Sequence, residues 1–181
     1  MSYQNILNVE NEIIITSKSN LSNSEKQIGN VTIPPSYLEF ANEMGYGLLI
    51  ELFLTYIPFG KESENICDSL ENRNRYWKGI FNEYLNEPLS LFKNPENVDL
   101  LKHAEPFMKS ENGEIVFWDT RTATNGEYRI FLANFPVGIY YVADNFKDFI
   151  QVLTNEDTYK KVLKFYEAPL KPSFKPFATI G

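Results

Sequence analysis

The side chains best suited to catalysis are scarce in this chain. His103 is the only histidine and Cys67 the only cysteine among 181 residues. A histidine metal site would need carboxylate ligands, and a serine or cysteine nucleophile would have a single imidazole to activate it. We therefore interpret His103 as a solvated or helix-end residue and Cys67 as a small, partly buried side chain. One cysteine cannot form an intrachain disulfide, which favours a reducing, cytoplasmic location.

Carboxylates are more numerous and offer the remaining route to chemistry. Glu39 and Glu43 are spaced i, i+4 on a predicted helix, and Asp119 comes near Glu127 across a predicted hairpin. Close pairs can do acid–base work, but solvated surface faces explain these spacings better. Glu51 differs because it interrupts an apolar run. A small-ligand-binding or hydrolytic pocket that uses Glu51 and Asp119 is therefore one alternative function.

No cofactor motif accompanies these side chains. Gly45 and Gly47 lack the third glycine and the preceding strand of a dinucleotide fingerprint, and the chain has no Gly-x-x-x-x-Gly-Lys phosphate loop. We expect no metal, no cofactor and no enzymatic turnover. The sequence therefore favours a binding function.

Charge and hydrophobic content narrow the range of partners. The 17 basic and 24 acidic residues give a net charge of −7, which opposes nucleic acid and favours a basic partner. The longest apolar run, 48–59, is shorter than the roughly 20 residues that span a bilayer. The N-terminus also lacks a basic segment followed by an apolar one. With 43% hydrophobic residues, the chain is expected to form one cytoplasmic domain without membrane contact.

A helix followed by a strand is the clearest structural signal. Pro34 and Pro35 suit a first helical turn, and Gly45 suits a left-handed cap at its end. Between them, apolar residues spaced i, i+3, i+4, i+7 predict one buried helix face: Tyr37, Phe40, Ala41 and Met44. The period then changes, which predicts a mostly buried strand over 48–57 with Glu51 as the exception.

The rest of the chain predicts further helices and a small antiparallel sheet. Helices are expected from Asp68 or Ser69 to Pro88, within 96–107 and over 145–153, and strands over 114–119, 127–133 and 138–143. Asn125-Gly126 is a strong hairpin signal. A strict two-residue loop would place Arg121 opposite Ile130, so we expect a longer loop that begins near Thr120.

The two ends predict less regular structure within a single domain of residues 1–181. Residues 1–20 are polar and predict a loosely held N-terminal extension, and the weak capping box at 22–25 predicts a short helix ending near Gly29. Residues 154–181 predict a C-terminal helix, whose apolar stripe starts at Tyr159, followed by a proline-containing tail.

Six short motifs follow one another over about residues 20–153. They are Ile33-Pro34-x-x-Tyr37-x-x-Phe40-Ala41, Gly45 with Gly47, Pro58-Phe59-Gly60, Ala104-Glu105-Pro106-Phe107, Asn112 to Asp119, and Asp144 to Ile150. This order resembles the SUKH superfamily, and within it the Smi/Knr cell-wall-regulator type. The resemblance implies an α+β domain with a central, mostly antiparallel sheet flanked by helices. The chain departs from the pattern in its Gly45-Tyr46-Gly47 and in the long stretch that precedes Trp118.

The resemblance also implies a protein-binding role. Many bacterial members are similar to immunity proteins that neutralise a cognate polymorphic toxin, often a nuclease, whereas fungal relatives regulate cell-wall synthesis and signalling. We expect an immunity-type module for a basic toxin, with a regulatory scaffold as the alternative. Aromatic anchors and an acidic rim suit such an interface. The candidates are Glu39, Glu43, Tyr46, Glu51, Glu62, Glu64, Trp118, Asp119, Tyr140 and Tyr141.

Overall fold

An eight-stranded sheet forms the centre of the computed structural model, which describes residues 2–10, 26–29 and 31–177. The strands are β1 (Asn8–Val9), β2 (Gln27–Ile28), β3 (Val31–Thr32), β4 (Gly47–Leu49), β5 (Phe53–Thr55), β6 (Ala104–Ser110), β7 (Ile115–Thr124), β8 (Glu127–Asn134), β9 (Gly138–Ala143) and β10 (Ser173–Pro176). The helices are α1 (Pro35–Met44), α2 (Leu70–Leu85), α3 (Pro95–Lys102) and α4 (Phe146–Thr154). Together they confirm the predicted α+β single domain.

The sheet is antiparallel at every pairing except one. Its strand order is β1-β10-β4-β5-β6-β7-β8-β9, and only β1 and β10 run parallel. Strands β2 and β3 form a separate two-stranded sheet. Strand β9 is therefore one edge of the large sheet, next to β8.

An aromatic core joins α1 and α4 to the sheet. Tyr37 and Phe40 belong to the predicted α1 stripe, and both are fully buried. The Tyr37 ring meets that of Phe146, on α4, edge to face at 4.9 Å, and that of Phe107, on β6, at 5.0 Å. Edge-to-face contacts of this kind add to the stabilisation from area burial. The predicted bounds and buried face of α1 are confirmed.

Helix α2 packs against β6 and begins at the predicted cap. The Ser69 hydroxyl accepts a hydrogen bond from the Asn72 amide at 3.3 Å. The apolar residues of α2 at helical spacing predict one buried face; Trp77 and Phe81 are buried, but Tyr76 is 59% exposed. Asn74 is buried instead, and its amide donates to the Pro106 carbonyl at 2.8 Å. A buried amide that finds a backbone acceptor can replace an apolar residue at a helix–sheet contact.

The strand predicted over 48–57 is a hairpin, so that prediction is wrong. Strands β4 and β5 pair with each other, and the Leu52 amide donates to the Leu49 carbonyl at 3.1 Å. Three residues separate the strands, and the two central residues of the Leu49–Leu52 turn, Ile50 and Glu51, have φ of 48° and 57°. Positive φ at both central positions is the conformation of a type I′ turn, which normally favours glycine or asparagine. Isoleucine and glutamate are not typical of such a turn, so the sequence did not predict it.

The hairpin between β7 and β8 has a two-residue loop, contrary to the predicted longer one. Thr124 pairs with Glu127 across Asn125-Gly126, whereas Asp119 pairs with Arg129. Residues 120–123 of β7 therefore face the single residue 128 of β8. Because of this bulge, Ile130 pairs with Trp118 and not with Arg121, the partner that a strict two-residue loop would require.

Strand β6 was also missed. The predicted helix within 96–107 ends at Lys102, and β6 starts at Ala104 in the middle of the sheet. Both faces of β6 are largely buried, so its residues do not alternate between apolar and polar. A central strand of this kind gives no period-2 signal.

The described parts of the predicted extension and tail contribute to the core, since Tyr3 and Phe174 are both fully buried. Tyr3 is fully buried and meets Phe40 edge to face at 5.2 Å. Pro169 and Pro172 are followed by strand β10, which ends at Pro176 and pairs with both β1 and β4. The predicted C-terminal helix is only a 3-10 turn, Tyr159–Lys161. Residues 11–25, including the predicted capping box, lie outside the described residues, and Gln27–Ile28 is a strand instead.

Candidate protein-interaction surface

Two of the ten predicted interface residues lie inside the protein. Trp118 is 1% exposed and stacks on Phe107 with ring centroids 4.0 Å apart. Asp119 is 2% exposed, and the Arg121 guanidinium donates to both of its oxygens at 2.8 and 2.9 Å. These bonds, together with Asp99, raise the pKa of Arg121. In this structure Trp118 is a core residue and Asp119 half of a structural ion pair, so neither presents an anchor to a partner.

Glu43 holds the N-terminus in place. Its carboxylate accepts hydrogen bonds from the Tyr3 amide at 3.0 Å, the Gln4 amide at 2.9 Å and the Ser2 hydroxyl. Partial burial opposes ionisation, but the three donors outweigh it and lower the pKa of Glu43. The side chain therefore acts as a cap for the first turn of the chain.

Tyr46, Glu62 and Glu64 lie around the start of α2. The Tyr46 hydroxyl donates to Asp68 at 2.9 Å, and burial, followed by this bond, raises the pKa of the Tyr46 phenol. Glu62 and Glu64 are exposed on the 3-10 turn Gly60–Asn65. Cys67 is exposed rather than partly buried as predicted. These two glutamates form a surface separate from the grooves described below.

Glu51 and Asp119 do not share a pocket. Glu51 lies at the tip of the β4–β5 hairpin, next to the Ser110 end of β6, because Phe53 pairs with Ser110. Asp119 pairs with Ala104 at the other end of β6. Seven strand residues separate these ends, roughly 20 Å at about 3.3 Å per residue. Glu51 is exposed, and its carboxylate pairs with the Lys171 ammonium at 3.5 Å. The carboxylate-pocket alternative therefore lacks its site.

His103 ends α3, as predicted for a helix-end histidine. Its side chain is 47% exposed and its Nδ1 lies 2.8 Å from the Asp99 carbonyl oxygen.

Three surface grooves meet around the start of α4. They have volumes of about 480, 530 and 460 Å³. Asp144 lines the first two, Glu127 and Asn145 the second and third, and Asp148 the first and third. We call this region the Asp144 surface and define it by Glu39, Glu127, Arg129, Tyr141, Asp144 and Asp148. Of the predicted interface residues, it brings together Glu39 and Tyr141.

Hydrogen bonds fix the elements that carry the Asp144 surface. The Ser36 hydroxyl donates to the Glu127 carboxylate at 2.7 Å and accepts from the Phe146 amide at 3.0 Å. Glu127 also accepts from the Ser36 amide at 2.8 Å. The Asn145 side chain caps α4 by accepting from the Asp148 amide at 3.0 Å. The starts of α1, β8 and α4 are thereby linked where the grooves meet.

Tyr141 is the exposed aromatic residue of the Asp144 surface. It is 49% exposed, packs against the Phe131 ring at 5.7 Å, and lies 6.0 Å from the Arg129 guanidinium. Burial, and then the neighbouring Asp144 carboxylate, raise the pKa of the Tyr141 phenol. A half-exposed tyrosine held by neighbours suits an interface anchor. Tyr140 differs, since it is half-buried beneath Lys164, whose Nζ is 4.7 Å from the ring.

Charges around the grooves are mixed, with a small acidic excess. Glu39 pairs with Lys147 at 2.6 Å, and Arg129 lies 3.4 Å from Asp144. Four carboxylates face three basic side chains: Glu39, Glu127, Asp144 and Asp148 against Arg129, Lys147 and Lys161. Such a rim can attract a basic surface and exchange its internal ion pairs for intermolecular ones.

The predicted interface residues do not include Asp144, Asp148 or Arg129. The first two flank the predicted Asn145 cap at an i, i+4 spacing, so the helix start could have directed attention to them. Arg129 gave no signal, because its place depends on the bulge in β7.

The described residues hold no helix with both the length and the apolar character to cross a membrane.

A family model described as the SMI1 / KNR4 family (SUKH-1) matches residues 15–152 of the chain. No curated protein and no solved structure gives a significant match. The matched range covers most of the chain and contains α1, β4 to β9 and most of α4. The chain therefore belongs to the SMI1 / KNR4 family (SUKH-1), as its motifs predicted.

Proposed function

We propose that this protein is a non-enzymatic, immunity-type binding module that neutralises a basic protein toxin through the Asp144 surface. The observation that carries the proposal is Tyr141, an exposed aromatic side chain that lines one of three grooves meeting on this surface. Family membership and the net charge of −7 also support it.

The aromatic and the acidic side chains have different roles in this proposal. Tyr141 supplies apolar contact area at a low entropy cost because its ring is already held by Phe131. Glu39 and Asp144 are at the rim, where charge mainly accelerates association and makes it sensitive to salt. Blocking the toxin requires only that this surface cover the toxin's functional site.

Paired charge reversals test the location of the surface. One variant carries Glu39→Lys and Asp144→Lys, and the matched control carries Glu62→Lys and Glu64→Lys; both change the net charge equally at exposed positions. Each variant is co-expressed with the toxin encoded beside this protein, and cell survival is measured. The rate of association between purified toxin and each variant is measured separately. We expect the first variant to slow association by about tenfold or more and the control to change it by about twofold.

Two results would contradict the proposal. An equal loss of association rate and of cell survival in both variants would show that only net charge matters. The Asp144 surface would then not be the binding site. A wild-type chain that protects cells from no neighbouring toxin would remove the immunity role and favour the regulatory scaffold.

A further inference from the structure

Strand β9 is an uncharged edge of the large sheet. It pairs with β8 alone, and no strand among the described residues lies beyond it. Its six residues include no charged residue and no proline. Proteins usually protect long edge strands with such residues because an open edge can pair with another chain.

A groove of about 480 Å³ runs between the end of β9 and α4. Tyr141 and Val142 line it from β9, Gln151 and Val152 line it from α4, and Lys161 and Val162 belong to the lining as well. Val142 and Val162 are each 4% exposed, so the floor is apolar. A groove between an edge strand and a helix is the geometry in which an extended peptide is bound by strand addition.

We infer that an extended segment of the partner pairs with β9 as an added strand and continues into this groove. Pairing starts along 138–141, because Val142 is an extra residue where the β8–β9 register shifts. An apolar side chain of the segment fills the space over Val142 and Val152, and a basic side chain reaches Asp144 and Asp148 at the start of α4. The inference rests on the proposed function for the partner's identity and adds the mode of recognition.

Charge complementarity selects this occupant. The residues that line the groove include two carboxylates, Asp144 and Asp148, and one basic residue, Lys161. A second copy of the chain would bring another strongly acidic protein to the same edge, which long-range repulsion disfavours. A basic segment has no such penalty.

The test uses the full chain and a phage-displayed library of random linear decapeptides, so it needs no identified toxin. Selected peptides are resynthesised with one N-methyl group at each backbone position in turn. Strand addition predicts that methylation at alternate positions weakens binding about tenfold or more, while the positions between lose about twofold or less. Recognition by side chains alone would not give this alternation.

A groove variant and a matched control complete the test. Gln151→Arg adds a long cationic side chain inside the groove, and Asn82→Arg adds the same group at an exposed α2 position outside it. We expect the first to weaken peptide binding about tenfold and the second to change it by about twofold or less.

Three results would overturn the inference: no enriched peptide, equal binding to both variants, or loss of binding without alternation. A wild-type dimer that Gln151→Arg dissociates would assign the edge to a second copy instead. Protection of cells from a neighbouring toxin by Gln151→Arg would leave the proposed function intact and remove the groove from it, so the two failures can be told apart.

Discussion

Replacing Glu51 with glycine should stabilise this protein, although the change deletes an ion pair. Glu51 has φ of 57° in the β4–β5 turn. A left-handed backbone costs a residue with a Cβ about 1–2 kcal/mol, which glycine avoids. Against this, glycine loses about 0.5–1 kcal/mol more backbone entropy on folding. The Glu51–Lys171 pair spans 3.5 Å between side chains 50% and 77% exposed, so its loss costs about 0–0.5 kcal/mol.

These contributions leave a net stabilisation of about 0.5 kcal/mol, which corresponds to a rise in Tm of about 1–2 °C for a chain of this size. Urea unfolding measures it as an increased midpoint with an unchanged m value. Glu51→Ala is the matched control, because it removes the same ion pair and keeps the strained backbone. It should not stabilise the protein.

The sign of the effect distinguishes a turn from a strand. If residues 48–57 formed one continuous strand, as the alternation suggested, glycine at 51 would destabilise the protein by about 0.5–1 kcal/mol. A lower midpoint for Glu51→Gly than for Glu51→Ala would refute the reasoning.

Three further substitutions test the contacts that hold the surface and the core. Glu43→Gln should lower stability at pH 7 by about 0.5–1 kcal/mol, a figure discounted for the partial exposure of the carboxylate. Because hydrogen bonds lower the pKa of Glu43 from its usual 4.5, its contribution is present above that value and lost as the pH falls through the folded-state pKa, so the two proteins should converge in urea titrations on acidification. Ser36→Ala leaves the Phe146 amide without its acceptor and should cost about 1–2 kcal/mol by urea unfolding. Asp119→Asn weakens the hold on Arg121 and should cost about 2 kcal/mol in the same assay.

Each of these has an outcome that would contradict it. A Glu43→Gln difference that grows on acidification would mean that the carboxylate is not stabilised by its donors. Ser36→Ala and Ser90→Ala, on an exposed 3-10 turn, should differ; equal stabilities would remove the link between α1 and α4. An unchanged midpoint for Asp119→Asn would show that the buried pair is neutral.

The sequence predicted some residues of the candidate surface and not others. The Asn145 cap and the α4 stripe were evident because a helix records its own start and buried face in local spacing. Tyr141 was identified as an aromatic strand residue, but Trp118, with the same kind of signal, is buried beneath α1. Residue type alone does not show which side of a strand is covered, since coverage depends on helices distant in the chain.

The sequence by itself determined α1, α2 and α4 with their caps, a hairpin at Asn125-Gly126 without its loop length, the α+β class and the family. These features depend on neighbouring residues or on motif order, and both can be found along the chain. Only the tertiary structure decided the pairing of β1 with β10, the turn at Ile50 and Glu51, and the bulge that places Arg129. Each of these is a choice between competing registers or conformations. The free energy that decides it comes from burying core side chains distant in sequence, such as Tyr3 against Phe40, rather than from local preference.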